Sequence, residues 1–321
     1  MAVETYESIF QFFPPSSAED WKNKIIKDLK GEPFDKLIWH TNENIDVLPF
    51  YTKESTNGMQ LQIPAKTKKG WKIAERIAVL EYGIANKSAL LSLHAGVQII
   101  IFDLQNKNIT TTEISILVNE IDTEIAPVFF ENYKAEDKIT LENIVKDSCT
   151  VFAKIPQENT LTEELVYLLN LAKKTSNETA HVHFFVGQNY FFEIAKLRAA
   201  RWLWQQMADL KNQHSQLYIS TETSTTSFST EDVNYNMLRN TTAAMSAIIG
   251  GCDQLLINSH DCEVAETSLG KRIARNVQHI LNYESYFEEL QDTAKGSYYI
   301  EYLTYQLAKN AWTQFVDINN H

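Results

Sequence analysis

From residue 149 onward the sequence alternates strand-like and helix-like segments four times in a row, which limits the chain to folds built on a parallel sheet. Apolar runs at 149–153, 182–186, 217–220 and 255–258 are followed by helical patterns near 161–174, 189–211, 231–248 and 269–289. Consecutive β-then-α units join parallel strands through right-handed crossovers. The helix signals agree: Ser229 stands three residues before Asp232 as a capping box, and Gly250 with Gly251 closes the helix before the last strand. Two earlier strands are expected at 97–102 and 126–130. A half barrel in the second part asks for a matching first half. Residues 103–148 supply 46 positions, whereas three further units of ~30 residues would need about 90. The expected architecture is an α/β fold, a TIM-type (β/α) barrel with a compressed first half. An open doubly wound sheet has the same periodicity.

The first seventy residues have another character. Ser16 and Ser17 lead to Ala18, Glu19 and Asp20, an acidic helix start, and Trp21, Ile25, Ile26 and Leu29 then share one side of a short helix that Gly31 stops. After Pro33 the chain reads as extended through Leu37, Ile38, Trp39, Ile45, Val47 and Pro49, then becomes polar and lysine-rich over 52–70. The predicted organisation is an N-terminal arm at 1–69 and a barrel at 70–321.

Composition narrows the function. The 321 residues hold 41 acidic and 29 basic side chains, a formal net charge of −12, the wrong sign for a general nucleic-acid or anionic-membrane binder. Only 10 glycines occur, with no two or three at dinucleotide-loop or P-loop spacing. Cys149, Cys252 and Cys262 form no C-x-x-C pair, so neither a disulfide framework nor a zinc knuckle is expected, and a reducing cytoplasm fits. Glu4 and Glu7 stand where a signal peptide would be basic, and apolar runs such as 97–102 are far below the ~18 residues that span a bilayer.

Few residues invite chemistry. His181 and His183, at i and i+2 on a strand, point to one face as two metal ligands would, but no acidic or cysteine partner stands at a familiar spacing; a strand-end histidine pair is the plainer reading, and no metal is expected. The Ser/Thr-rich run 220–230 lies between a strand and a helix, where barrel enzymes bind phosphate or substrate, although capping explains it equally well. Adjacent Glu163 and Glu164, like Glu288 and Glu289, diverge on a helix and read as solvated faces. Lys196, Arg198 and Arg201 form a basic cluster for a phosphate or, with Glu193 one turn away, an internal ion-pair set.

The segment Phe191, Phe192, Glu193, Ile194, Ala195, Lys196, Leu197, Arg198, Ala199, Ala200, Arg201, Trp202, Leu203, Trp204 resembles the helix after the sixth barrel strand of adenosylcobalamin-dependent methylmalonyl-CoA mutases. Asp232, Asn234, Asn236, Leu238 and Arg239, then Arg272 to Asn276, then Asp292, Gly296, Glu301 and Trp312 are similar to that family. In the arm, Trp21, Leu29, Leu37, Trp39, Thr41, Pro49 and Tyr51 resemble its N-terminal portion, with Trp71 and Ile73 at the barrel entrance. The resemblance implies a barrel that takes an acyl-CoA down its axis and a separate domain that delivers cobalamin. It also implies a choice between catalytic large chains and related non-catalytic small ones.

Departures from the family pattern point to the small chain. No D-x-H-x-x-G pattern supplies a cobalt-ligating histidine, and the cobalamin domain is expected to be missing. The family's T-I-R-Q-Y-A-G-F reads 72–79 here, with Arg76 at the active-site tyrosine; G-Y-H-M-Q has no counterpart near 153–157. H-S-Q-T-S-G becomes 220–225, with Ser220 for the histidine and Glu222 adding an anion, and G-H-T-Q-S-L-H becomes 250–256.

The expected function is that of a small, non-catalytic subunit with no catalytic, cofactor or metal residues of its own, adenosylcobalamin being held by a large-subunit partner in a cytoplasmic heterodimer. A homodimer is the alternative state of the chain alone. Trp21, Leu37, Trp39 and Tyr51 are the interface candidates, since aromatic anchors dominate such contacts, with packing on the chain's own barrel the alternative. Residual acyl-CoA contacts fall on Arg76, Lys196, Arg198, Ser220 and Thr221. The rival functions are a barrel active with a separate cobalamin protein and an acyl-CoA-binding regulatory module.

Overall fold

The computed structural model describes residues 16–59, 61–66, 68–146, 152–175, 179–289 and 291–320. It divides into two compact units, 1–59 and 60–321. In the first, α1 (Ala18–Asp28) opens with a capping box in which Ser17 accepts from the Asp20 amide and Asp20 accepts from the Ser17 amide. Gly31 turns the chain at φ +100°, a conformation open to glycine. The stretch expected to be extended is broken by a 3₁₀ turn at Phe34–Leu37 before β1 (Trp39–His40) and β2 (Asp46–Val47) form a short antiparallel hairpin.

The second unit is a seven-stranded, all-parallel sheet. Its strands are β3 (Lys72–Ala78), β4 (Ile99–Asp103), β5 (Val128–Glu131), β6 (Ala153–Lys154), β7 (Thr179–Val186), β8 (Gln216–Thr223) and β9 (Gln254–Leu256). The spatial order is β5-β4-β3-β9-β8-β7-β6, so the first strand pairs with the last, as in a barrel. Among the described residues the two outer strands share no main-chain pairing. Their side chains meet instead: Phe129 and Phe152 pack edge to face with centroids 5.2 Å apart, and Lys154 Nζ lies 3.4 Å from Glu131 Oε2. The sheet curls toward a TIM-type barrel with one strand too few and a seam where that strand would lie.

The alternation read from 149 onward is present. α5 (Leu161–Lys174), α6 (Tyr190–Leu210), α7 (Asn236–Ile249) and α8 (Ser268–His279) follow β6, β7, β8 and β9 in turn. Positions 149–151 of the first expected strand lie outside the described residues. Asp232, whose amide donates to Ser229, caps a 3₁₀ turn that delays α7 to Asn236, and α8 gives way to a π-turn at Ile280–Glu284. The compression is also real: among the described residues, between β4 and β6 stand β5, a 3₁₀ turn at Ala135–Asp137 and the seven-residue helices α3 (Thr111–Leu117) and α4 (Lys138–Ile144). α2 (Tyr82–His94) covers β3 and β4, and α9 (Tyr298–Asn320) packs on α5 and α6. The core lies between sheet and helices, where Ile100, Phe102, Val182, Phe184, Ile219 and Leu255 are fully buried. Each such side chain contributes roughly 1.5–3 kcal/mol.

Candidate functional site

Register decides which side chains meet inside the barrel. Lys154, His183, Ser220 and Gln254 are neighbours across β6, β7, β8 and β9, and Glu222, Leu256 and Ala74 are neighbours one layer further on. Arg76, on β3, follows Ala74 on the same face. At the carboxyl ends of the strands, the end where barrel enzymes place their chemistry, these side chains close into one ionic network.

Arg76 is its centre. Nη1 and Nη2 donate to Glu222 Oε1 and Oε2 at 2.8 and 2.6 Å, a bidentate pair, and Nε donates to Glu131 Oε2 at 3.1 Å. Glu222 also accepts from Asn258 Nδ2 at 2.9 Å, and its Oε2 stands 3.2 Å from His183 Nε2. His183 Nδ1 in turn lies 3.1 Å from Ser220 Oγ. Burial alone would raise the Glu222 carboxyl, but hydrogen bonds from Arg76 and then His183 hold it far below the usual carboxylate range. Burial likewise pulls the Arg76 guanidinium down, and Glu222 and Glu131 more than restore it. Both stay charged, so a locked ion pair stands in the lumen and joins β3 to β8 over β9. An arrangement of this kind can hold the strands together.

Below it the lumen is aromatic. His181 stacks at 5.0 Å on Tyr218, and Phe152 packs against both. Between the network and this layer lies a cavity of about 320 Å³ bounded by Ile101, Phe129, Phe152, His183, Ser220 and Gln254.

The other anticipated residues lie elsewhere. Lys196 is fully buried behind β7, where Nζ meets Glu164 at 2.8 Å, Glu193 at 2.7 Å and the Phe185 carbonyl at 2.8 Å. Glu164 is therefore no solvated carboxylate: α5 packs its face onto α6 and buries it against the lysine, while Glu163 caps the helix through Thr160. Arg198 is buried against Glu301 and Asp292, tying α6 to α9 and the segment before it. Ser220 faces His183, and Thr221, on the opposite face of β8, donates to the Gln254 carbonyl. Of the five anticipated acyl-CoA contacts, Arg76 and Ser220 share the lumen.

In the first unit Trp21, Leu37 and Trp39 are exposed, Trp39 by 50%. The Trp21 ring rests on Phe50 with centroids 3.8 Å apart, and Tyr51 Oη accepts from the Leu48 amide. Glu131, Lys154, Gln254 and Asn258 were not anticipated. The one signal was Glu131, a lone charge ending an otherwise apolar strand. Among the described residues no group of three or more His, Cys, Asp or Glu is placed to hold a metal, and no helix is long and apolar enough to cross a membrane.

Residues 172–321 match the methylmalonyl-CoA mutase family. The chain is similar to the methylmalonyl-CoA mutase small subunit of Porphyromonas gingivalis, with 28% identity over 98% of this chain and 64% of that protein. It is 43% identical to a Rhizobium meliloti methylmalonyl-CoA mutase over 40% of the chain and 19% of the relative. With the mutase large subunit of Propionibacterium freudenreichii it shares 39% identity over 41% of the chain and 19% of the relative. The chain thus spans under two thirds of the length of the small-subunit relative and about a fifth of the others. The small-subunit alignment runs over 398 positions, more than the 321 residues present, so the compression falls within the aligned region.

Proposed function

We propose, from the match of residues 172–321 to the methylmalonyl-CoA mutase family, that this chain serves as the non-catalytic small subunit of an adenosylcobalamin-dependent methylmalonyl-CoA mutase. It supports, in a heterodimer, a large subunit that interconverts methylmalonyl-CoA and succinyl-CoA. One observation carries the reading: the bidentate Arg76–Glu222 pair stands on the lumen face, at the carboxyl ends of the strands where an acyl-CoA would enter. Parting a buried pair of this kind costs about 3–5 kcal/mol, a loss of roughly 10²–10⁴ in affinity for any ligand that displaces it. The small-subunit name of the Porphyromonas gingivalis relative supports the same role.

Adenosylcobalamin supplies the radical chemistry of such an enzyme. The lumen residues here do not fit it. The ion pair stands at the carboxyl ends of the strands, and the one imidazole in the network is flanked by Ser220 on Nδ1 and Glu222 on Nε2. The cofactor is accordingly assigned to the partner, and no step of the reaction is routed through this chain. Trp21, Leu37 and Trp39 are offered as the docking side chains, being large, apolar and exposed.

The test mixes this chain with a catalytic large subunit, follows size-exclusion chromatography with light scattering, and assays turnover with adenosylcobalamin. A one-to-one complex is expected, weakened by Trp39→Asp, with no turnover by this chain alone. Absence of a complex, or turnover by this chain with a separate cobalamin-binding protein, would overturn the assignment.

A further inference from the structure

The seam between β5 and β6 is more than a missing strand. The lumen cavity of about 320 Å³ is bounded on one side by Phe129 and Glu131 of β5 with Asn132 and Tyr133 just after it, and on the other by Phe152 and Lys154 at β6. The cavity thus lies along the seam and reaches the carboxyl end of β5. Among the described residues no strand pairs with the free edges of β5 and β6 there.

Its chemistry is amphipathic. Ile101, Phe129 and Phe152 give an apolar, largely aromatic wall. In the depth Gln254, 1% exposed, keeps its side-chain carbonyl oxygen without a hydrogen-bond partner. A buried acceptor left unpaired costs free energy that a ligand O–H or N–H recovers. His183 and Ser220 are occupied with each other and so leave that acceptor to the ligand. At the mouth the Lys154 ammonium is half exposed and only 3.4 Å from Glu131, a carboxylate already engaged by Arg76 at 3.1 Å. From outside inward the site thus presents a cation, aromatic faces and an acceptor.

We propose that this seam pocket binds a small aromatic carboxylic acid bearing a hydroxyl group: the carboxylate on Lys154, the ring among Phe129 and Phe152, and the hydroxyl donating to Gln254. The volume lies at the lower end of the range for small-molecule sites, which suits a single ring with short substituents. This goes beyond the subunit role and needs neither the partner nor the axial route.

The experiment is isothermal titration of the full chain with 4-hydroxyphenylacetate, phenylacetate and 4-ethylphenol. Binding of the first is expected, with the second and third each weaker by about tenfold for the lost hydrogen bond or charge. Lys154→Ala, a half-exposed position that the fold tolerates, should weaken 4-hydroxyphenylacetate about tenfold and leave 4-ethylphenol unchanged. Gln254→Leu should erase the preference for the hydroxylated acid. No saturable binding at millimolar concentration, equal affinity for all three, or indifference to Lys154→Ala would overturn the proposal. Each of these outcomes is independent of whether a large subunit is bound.

Discussion

A guanidinium inside a barrel must find an anion or cost the fold its stability, and Arg76 finds two. The sequence exposed both halves of this arrangement, Arg76 and Glu222, as separate departures from one family pattern. That they answer each other could not be read, because they lie 146 positions apart and meet only when β3 and β8 curl around one axis. Arg76→Leu is expected to destabilise the chain by about 3–5 kcal/mol, since Glu222 would stay buried without its partner. The double variant Arg76→Leu/Glu222→Leu should regain most of that. Urea unfolding measures both, and a single variant costing under ~1 kcal/mol would place the pair among mere surface contacts. The same carboxyl sets an acid limit. Held below its ordinary 4.5 by Arg76 and His183 despite burial, Glu222 binds its proton less readily folded than unfolded. Its contribution is present above pH 4.5 and is lost as pH falls below that value toward the folded one. The urea midpoint of the wild type should drop on acidification through this window more steeply than that of Glu222→Gln; parallel curves would remove Glu222 from the account.

Elements were legible where local signals repeat. α5 was legible at 161–174 from its helical pattern, and in the structure Thr160 and Glu163 close a capping box at its start. α3 and α4, seven residues each, are too short to show a period. β3 was seen only as an entrance motif: its polar Glu75 and Arg76 hide the strand, and each is paired on its own face, Glu75 with Arg275 and Arg76 with Glu222. Glu164 escaped for a related reason, as its burial depends on α5 lying against α6, whereas the Lys196–Glu193 pair was readable from their spacing of one turn. Lys196, kept charged by Glu164 and Glu193 although burial opposes it, is a tie between these helices and β7. Lys196→Met should therefore cost about 3 kcal/mol or more despite preserving volume, because two buried carboxylates lose their cation. Thermal or urea unfolding reads this, and a neutral outcome would show that the carboxylates escape to water.

At the scale of the whole second unit, the missing strand makes stability uneven. β7 and β8 pair over eight positions and each has a neighbour on its other side, while β6 pairs with β7 over two positions and has nothing on its outer edge. β5 pairs over four positions on one edge only. Local opening is governed by how many hydrogen bonds and apolar contacts must be given up. The seam strands hold few, and among the described residues an aromatic contact and a loose ion pair link them across the gap. In native-state hydrogen exchange, amides of β5 and β6 should exchange well before those of β7 and β8, which should follow global unfolding. Phe152→Ala, which deletes half of the aromatic bridge, should speed the seam amides further and leave β7 and β8 nearly unchanged. Uniform protection across all seven strands would mean that the two edges are bonded as a closed barrel is, and the gap along which the seam pocket lies would be absent.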